Sequence, residues 1–159
     1  MNTAYLLLGG NIGHRINNIK TAIRKTEQMI GKVKRQSSVY ETAAWGNTAQ
    51  PDFLNQVIVV ETKLAAAPLL NTILLIEEKM GRIRSKKNDP RVIDIDILFF
   101  DRMIVNEKHL TIPHPEIPNR KFVLVPLNEL SPNLKHPLLK KTIHHLLTIC
   151  TDQLDVKKF

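Results

Sequence analysis

Two aspartates, Asp94 and Asp96, are separated by a single residue inside a strongly apolar stretch of the chain. Isoleucines 93, 95 and 97 alternate with them, which is the period-2 pattern of a β-strand with one apolar face. The same alternation places both carboxylates on the opposite face, with Cα atoms about 7 Å apart. Two carboxylates this close in a covered sheet need a cation, either Mg²⁺ shared with substrate phosphates or a neighbouring arginine. The alternative interpretation is an edge strand whose outer face is solvated.

Basic residues precede this pair in the sequence. Arg91 lies just before it, and Arg82, Arg84, Lys86 and Lys87 lie further upstream. Carboxylates that can hold a metal, with guanidinium groups beside them, predict a site for a triphosphate. No G-x-x-x-x-G-K-[ST] motif is present, which excludes a P-loop enzyme.

Composition bounds the remaining possibilities. The 159 residues, 43% of them apolar, predict one domain spanning residues 1–159. No signal peptide and no apolar run of about 20 residues is found, and there is a single cysteine, so we expect a cytoplasmic protein without a membrane partner. The formal charge of +8 favours an anionic partner, but aromatic residues are only 5% of the chain, and we expect no nucleic-acid partner.

The periodicity along the chain predicts an α+β fold. Strands are expected at 4–8, 33–42 and 53–62 and in the aspartate stretch, with helices after Gly13 and over 67–80. The resulting order, β-α-β-β-α-β, is the ferredoxin-like arrangement with a mostly antiparallel sheet. Two further helices, around 122–130 and 142–150, are expected to cover the second face, so that helices lie on both faces.

Three smaller features can be interpreted in more than one way. Gly9, Gly10 and Gly13 follow a strand, but their spacing is not that of a dinucleotide-binding loop, and a structural turn is favoured over a phosphate cradle. Glu77 lies on the apolar stripe of the second helix, either at its solvated margin or directed at a ligand. Phe53 and Asn55 are two residues apart on a strand and therefore share a face, but by residue type alone Phe53, like Phe122, is expected to be a core residue.

Four motifs in register resemble one enzyme family, 6-hydroxymethyl-7,8-dihydropterin pyrophosphokinase, over nearly the whole chain. The most specific is the signature Pro-Arg-x-x-Asp-(Leu/Ile)-Asp-(Ile/Leu), matched by residues 90–97. The others are residues 40–42 with 50–55, Glu77 with residues 81–84, and Pro113-His114 with Asn119-Arg120 and Phe122. Two alternatives stay open: a ferredoxin-like nucleic-acid-binding module, and a different Mg-dependent nucleotide phosphotransferase on a similar scaffold.

The resemblance implies an Mg-dependent diphosphotransferase of folate biosynthesis that moves diphosphate from ATP to the pterin alcohol and releases AMP. It implies that Asp94 and Asp96 bind two Mg²⁺ ions with ATP and that Arg82 and Arg91 act on the phosphates in catalysis. Five further residues match ATP-contacting positions: Glu77, Arg84, Thr111, His114 and Arg120. The family also implies a monomer.

The resemblance assigns a second group of residues to the pterin: Thr42, Ala43, Ala44, Trp45, Phe53, Asn55 and Phe122. These types suit a flat heterocycle, which needs aromatic surfaces for stacking and an amide that both donates and accepts hydrogen bonds. The chain departs from many relatives before the signature proline, where Asn88 and Asp89 replace an aromatic and a small residue. We hypothesise that Trp45 covers the substrate in place of that aromatic residue.

Overall fold

The computed structural model describes residues 1–44, 49–82 and 90–159. Its strands are β1 (Asn2–Gly10), β2 (Gly31–Gln36), β3 (Tyr40–Thr42), β4 (Phe53–Thr62), β5 (Asp94–Phe100), β6 (Val105–Glu107), β7 (Leu110–Ile112) and β8 (Val156–Lys158). Its α-helices are α1 (Arg15–Met29), α2 (Ala66–Lys79), α3 (Lys121–Leu130) and α4 (Ile143–Ile149), and a short 3₁₀ helix spans Ile117–Asn119.

The main sheet has the strand order β5-β1-β4-β3-β8, and β2 pairs with β4 beside β3. All of these pairs are antiparallel. With β2 and β3 taken together as the second core strand, the order is the 4-1-3-2 of a ferredoxin-like βαββαβ unit. The predicted fold class, α+β with a ferredoxin-like core, is confirmed.

Each face of the sheet packs against a different pair of helices. On one face, isoleucines 93, 95 and 97 join Leu6 and Leu8 in a core closed by α1 and α2. On the other face, Leu7, Val57 and Leu98 form a second core with α3 and α4. Asp94 and Asp96 share their face with Leu98, because alternate residues of a strand point the same way. The strand therefore keeps its isoleucines in one core and presents its carboxylates beside the other.

The expected strand 33–42 is two strands, β2 and β3, and this prediction was wrong in detail. The chain leaves the regular ladder at Ser37, whose hydroxyl accepts a hydrogen bond from Val57 N (3.0 Å), while Gln56 Nε2 donates to Ser37 O (2.6 Å). Side chains thus replace part of the backbone ladder between the two strands. Serine competes well for backbone hydrogen bonds, and this competition interrupts the strand.

Three other local features were not predicted from the sequence. Gly31 directly follows the C-cap of α1 and begins β2, and an added Cβ there would lie 2.0 Å from Glu61 O, so close backbone packing requires the glycine. Cys150 follows α4 as its C-cap, in an extended conformation, rather than lying within the helix. The strand β8 was not predicted at all. It covers the edge of β3, where unpaired backbone groups would otherwise remain.

Candidate active site

The candidate site lies where four consecutive strands of the sheet, β3, β4, β1 and β5, face α3 and α4. Thr42 on β3 lies opposite Phe53 on β4, and Asn55 on β4 lies opposite Gly9 on β1. Gly9 lies opposite Asp94 on β5. Cross-strand partners share a face, so the residues predicted for the pterin and the predicted metal ligands lie on one surface, with Gly9 between them.

Gly9 leaves the space that Asn55 occupies. A Cβ added at Gly9 would lie 2.4 Å from Asn55 Oδ1, well inside van der Waals contact. Asn55 is 4% exposed, and its Nδ2 donates a 3.3 Å hydrogen bond to Thr42 Oγ1, which is also buried. The sequence pattern suggested a structural turn at this glycine. Its place in the sheet shows that it also accommodates a predicted ligand-binding amide.

Two arginines converge on Asp94. Arg82 Nη1 donates to Asp94 Oδ1 at 2.6 Å and to Ile93 O at 3.2 Å, and Arg91 Nη1 lies 3.3 Å from Asp94 Oδ2. Arg82 Nε is buried and has no hydrogen-bond acceptor among the described residues. Both guanidiniums are therefore placed to neutralise the charge of a phosphate that binds beside Asp94.

Arg91 contacts both a predicted metal ligand and a predicted pterin residue. Its guanidinium Cζ lies 5.3 Å from the centroid of the Phe53 ring, within the range of a cation–π contact. One side chain therefore contacts a predicted metal ligand and a predicted pterin-stacking residue. This places the acidic pair and the aromatic surface within one side-chain length of each other.

Asp96 is half-buried and lies among like charges. Burial, followed by the negative charges of Asp94 and Glu77, raises the pKa of Asp96 well above its usual value, and Arg82 and Arg91 oppose this only in part. The three carboxylates of Asp94, Asp96 and Glu77 outnumber the two guanidiniums, and this hard-oxygen donor set with excess negative charge fits a divalent cation such as Mg²⁺. In the part of the chain that is described, no cluster of three or more His, Cys, Asp or Glu residues is arranged to hold a metal. The donor set thus suits an ion that takes its other ligands from phosphate and water.

We expect Asp96→Asn to stabilise the metal-free protein at neutral and alkaline pH. Because folding raises the pKa of Asp96, its contribution to stability is present below the unfolded pKa of about 3.9 and is lost as pH rises through the folded pKa. The amide has the same shape and no charge, so Tm measured in EDTA should be several degrees higher in the variant at pH 8, and the difference should shrink toward pH 4. A variant less stable than the parent at every pH would contradict this account.

Glu77 is buried rather than at the solvated margin of α2. It is 3% exposed, and its Oε2 accepts a 2.8 Å hydrogen bond from Ile95 N on β5. The same oxygen lies 3.8 Å from Arg82 Nη1. Glu77 therefore connects α2 to the edge of β5 that is not paired with β1, and it helps to hold Arg82. It thus has a structural role in addition to the ATP-contacting role predicted for it.

The predicted ATP-contacting residues beyond β7 are close together. His114 N donates to Leu98 O (3.0 Å), and its Nδ1 accepts from Glu116 N (3.1 Å), so the neutral ring carries its proton on Nε2. Burial lowers the pKa of His114, against the opposing charges of Glu116 and Asp94. Arg120 Nε donates to Glu116 at 2.9 Å. Thr111 is exposed on β7.

The remaining predicted contacts to the pterin and to ATP divide into those that the structure describes and those that it does not. Phe122 lies in the first turn of α3 and packs against the second core, and Ala43 and Ala44 directly follow β3. Trp45, predicted to cover the pterin, and Arg84, predicted to contact ATP, lie outside the described residues. Their roles stay predictions.

Asn11 is a site residue that the sequence reasoning missed. It is 1% exposed, and its Nδ2 donates to Gln50 Oε1 (2.9 Å) and to Pro51 O (3.1 Å). Its Oδ1 accepts from Arg91 N (2.9 Å), and its own backbone N donates to Arg91 O (3.0 Å). Asn11 therefore connects the segment that leads into Phe53 with the segment that carries Arg91. The only signal in the sequence was an amide directly after a strand that ends in two glycines.

Comparison with known proteins points to one family. Residues 5–132 match the model of the family described as 7,8-dihydro-6-hydroxymethylpterin-pyrophosphokinase (HPPK). The chain is 41% identical to the 2-amino-4-hydroxy-6-hydroxymethyldihydropteridine pyrophosphokinase of Aquifex aeolicus over 143 residues, which cover 90% of this chain and 89% of that one. It is 42% identical to the protein of the same name from Synechocystis, over 88% of this chain and 72% of that one.

A solved structure shows the same fold within a larger chain. The wild-type HPPK-DHPS of Plasmodium falciparum, crystallised with SDX-DHP, superposes with a TM-score of 0.76 at 22% identity. The superposition covers 93% of this chain but only 43% of the Plasmodium chain. Across residues 1–44, 49–82 and 90–159, none of the helices is both long and apolar enough to cross a bilayer.

Proposed function

The chain belongs to the 7,8-dihydro-6-hydroxymethylpterin-pyrophosphokinase family, and we infer that it transfers diphosphate from ATP to 6-hydroxymethyl-7,8-dihydropterin in folate biosynthesis. The products are AMP and the pterin diphosphate. The observation that carries this inference is the cross-strand row of Asn55, Gly9 and Asp94, which sets an amide suited to a heterocycle beside a carboxylate suited to a metal. A diphosphotransferase needs the two binding groups near each other, so that the acceptor hydroxyl of one substrate can approach the phosphorus that the other transfers.

The acceptor half of the proposed site is the surface of β3 and β4. Phe53 offers a ring for stacking, and Phe122 is proposed as the second wall of an aromatic sandwich. Asn55 and Thr42, both 4% exposed, supply donors and acceptors that are already desolvated, so a matching pterin edge gains hydrogen bonds at low cost. Ala43, Ala44 and Trp45 complete the proposed set.

The donor half is the surface of β5 with its arginines. Asp94 and Asp96 would hold two Mg²⁺ ions together with ATP, and these ions would neutralise charge on the phosphate oxygens. Arg82 and Arg91 are within hydrogen-bond distance of Asp94, so a phosphate held beside this carboxylate would meet both guanidiniums. Diphosphate transfer needs little covalent help from the protein, and positioning together with charge stabilisation carries the reaction.

The nucleotide itself is assigned to residues around the donor half. His114, with its proton on Nε2, can donate to an ATP oxygen while remaining neutral. Arg120 lies between the 3₁₀ helix and α3. Glu77, Arg84 and Thr111 complete the ATP set that we propose. By resemblance to the family, we propose a monomer as the active form.

Product analysis tests this function directly. Purified protein with Mg²⁺, reduced hydroxymethylpterin and ATP labelled at the α-phosphate should yield labelled AMP, and label at the β-phosphate should appear in the pterin product. Asp96→Asn under the same conditions is the matched control for contaminating kinases. Labelled ADP instead of AMP would indicate an ordinary kinase and would overturn the assignment.

We expect Gly9→Ala to weaken pterin binding selectively. The new methyl group would displace Asn55, so KM for the pterin should rise by about 10²-fold, the cost of one or two lost desolvated hydrogen bonds, while KM for ATP changes little. Steady-state kinetics with each substrate varied in turn would measure this. Asn55→Ala is the comparison: if Gly9 acts through Asn55, adding Gly9→Ala to Asn55→Ala should cost no more than about twofold. Full additivity of the two effects would show that Gly9 does not act through Asn55.

Asn11→Asp should separate the two connections that Asn11 makes. The carboxylate still accepts from Arg91 N but cannot donate to Gln50 Oε1 or Pro51 O. We expect KM for the pterin to rise by about tenfold, with a smaller change for ATP, since roughly 1–2 kcal/mol of hydrogen bonding to the pterin side is lost. Asn11→Ala should impair both substrates. Asn17→Asp, an exposed position on α1, controls for the added charge. Equal effects of Asn11→Asp on both substrates would refute the separation.

A further inference from the structure

The segment from Asp152 to Phe159 contacts elements that carry three of the proposed pterin residues. Asp152 is 6% exposed, and its Oδ2 accepts a 2.9 Å hydrogen bond from Lys121 N, the first backbone amide of α3. Its Oδ1 accepts from Leu154 N (3.0 Å). The carboxylate therefore caps α3 from outside the helix, directly before Phe122.

The far end of α3 is held separately. Tyr40 OH donates to Glu129 Oε1 at 2.6 Å, and Glu129 also accepts from Ser38 N (3.1 Å). This contact attaches the last turns of α3 to β3. Asp152 therefore fixes the end of α3 at which Phe122 lies, and the two attachments together define the direction of the helix.

The same segment covers the outer edge of β3. In the antiparallel pairing of β8 with β3, Val156 lies opposite Thr42. Phe159 N donates to Val39 O (2.9 Å), which extends the contact past the start of β3. A three-residue strand such as β3 has few backbone hydrogen bonds of its own, so a second partner limits its movement.

Phe159 reaches a third element through Arg15. The guanidinium Cζ of Arg15 lies 5.6 Å from the centroid of the Phe159 ring. Arg15 Nη1 donates to Glu41 Oε2 (2.6 Å) on β3 and to Asp52 O (3.0 Å), which directly precedes Phe53. The ring, the guanidinium and these two acceptors link the segment to the start of β4.

We propose that residues 152–159 act as a positioning brace for the pterin site, with Asp152 setting Phe122 and with β8 and Phe159 setting Thr42 and Phe53. None of the brace residues touches the ligand; each acts through a residue that is proposed to do so. This inference rests on the proposed function, because it concerns where the pterin-contacting groups are held.

The physical reason is the narrow tolerance of an aromatic sandwich. Its two walls, Phe53 and Phe122, belong to two separate elements of the fold, β4 and α3. A gap of about 0.5–1 Å beyond optimal contact already forfeits a quarter to a half of the dispersion attraction. Small displacements of α3 or β3 should therefore cost pterin affinity before they affect the phosphate-binding half.

Asp152→Ala, with Asp152→Asn as the conservative variant, tests the brace. Below the Tm of each variant, KM for the pterin should rise by about tenfold in Asp152→Ala, with kcat and KM for ATP within about twofold of wild type. Asp152→Asn keeps one acceptor, so its KM for the pterin should lie between those of wild type and Asp152→Ala. In a Phe122→Leu background, Asp152→Ala should add less than about twofold, because the group it positions is gone.

Phe159→Leu is the second variant, and it keeps the test decisive if Asp152→Ala folds poorly. It should raise KM for the pterin without changing KM for ATP, and Phe159→Tyr, which keeps the ring over Arg15, should restore the wild-type value. Asp155→Asn, at an exposed position, is the matched control. A lower Tm with unchanged KM for the pterin would overturn the brace, as would parallel losses for both substrates. Wild-type protein that forms no pterin diphosphate would overturn the proposed function, and the brace with it.

Discussion

Asp96→Ala is expected to lower kcat/KM by about 10³-fold or more, equivalent to roughly 4 kcal/mol of transition-state stabilisation, in a protein that remains folded. The carboxylate is half-buried beside Asp94 and Glu77, where desolvation and like charge raise its pKa. Such a position is unfavourable for stability, and a divalent cation offsets that cost. Asp94→Ala should have a similar effect, because the two side chains share one face of β5.

Three measurements make this result specific. Thermal unfolding without metal should show Asp96→Ala at least as stable as wild type. Titration of Mg²⁺ with a non-hydrolysable ATP analogue should show weakened metal-dependent binding in both aspartate variants. Glu27→Gln, an exposed carboxylate on α1, should match wild type in every assay. Turnover within about tenfold of wild type in either aspartate variant would exclude the proposed metal ligands.

Arg82→Ala is expected to lower kcat by about 10³-fold while KM for either substrate changes by less than about fivefold. The Arg82 side chain is 17% exposed, and its guanidinium contacts Asp94 and Ile93 O, so it is held in place before any ligand arrives. A donor that is held in advance stabilises developing charge without reorganisation, which favours the transition state over the ground state. Single-turnover kinetics at saturating substrates would measure the chemical step directly.

Arg82→Lys separates charge from geometry. Lysine keeps the positive charge but lacks the planar fork, so we expect it to recover no more than about tenfold of the loss. Arg24→Ala, at an exposed position on α1, serves as the control. If the loss in Arg82→Ala appears in KM for ATP with kcat retained, Arg82 binds the ground state, and its catalytic assignment fails.

Much of the fold could be predicted because its signals are local. The strand at 53–62 was predicted with the bounds of β4, and the pattern of isoleucines and aspartates placed the two sets of side chains on opposite faces of β5. The break between β2 and β3 was missed because it depends on Ser37 pairing with a different strand. β8 was missed because three residues, Val-Lys-Lys, have no periodicity to detect.

The sequence by itself determined the family motifs, the order of the strands and helices, and the chemistry of the acidic pair, because residue types and short spacings encode these properties. Only the tertiary structure decided that Gly9 makes room for Asn55, that Asn11 bonds to Arg91, and that Asp152 caps the helix of Phe122. Each of these contacts joins residues that are 31 to 80 positions apart. Such contacts form only when the sheet brings its strands into register, and no local pattern in the chain specifies them.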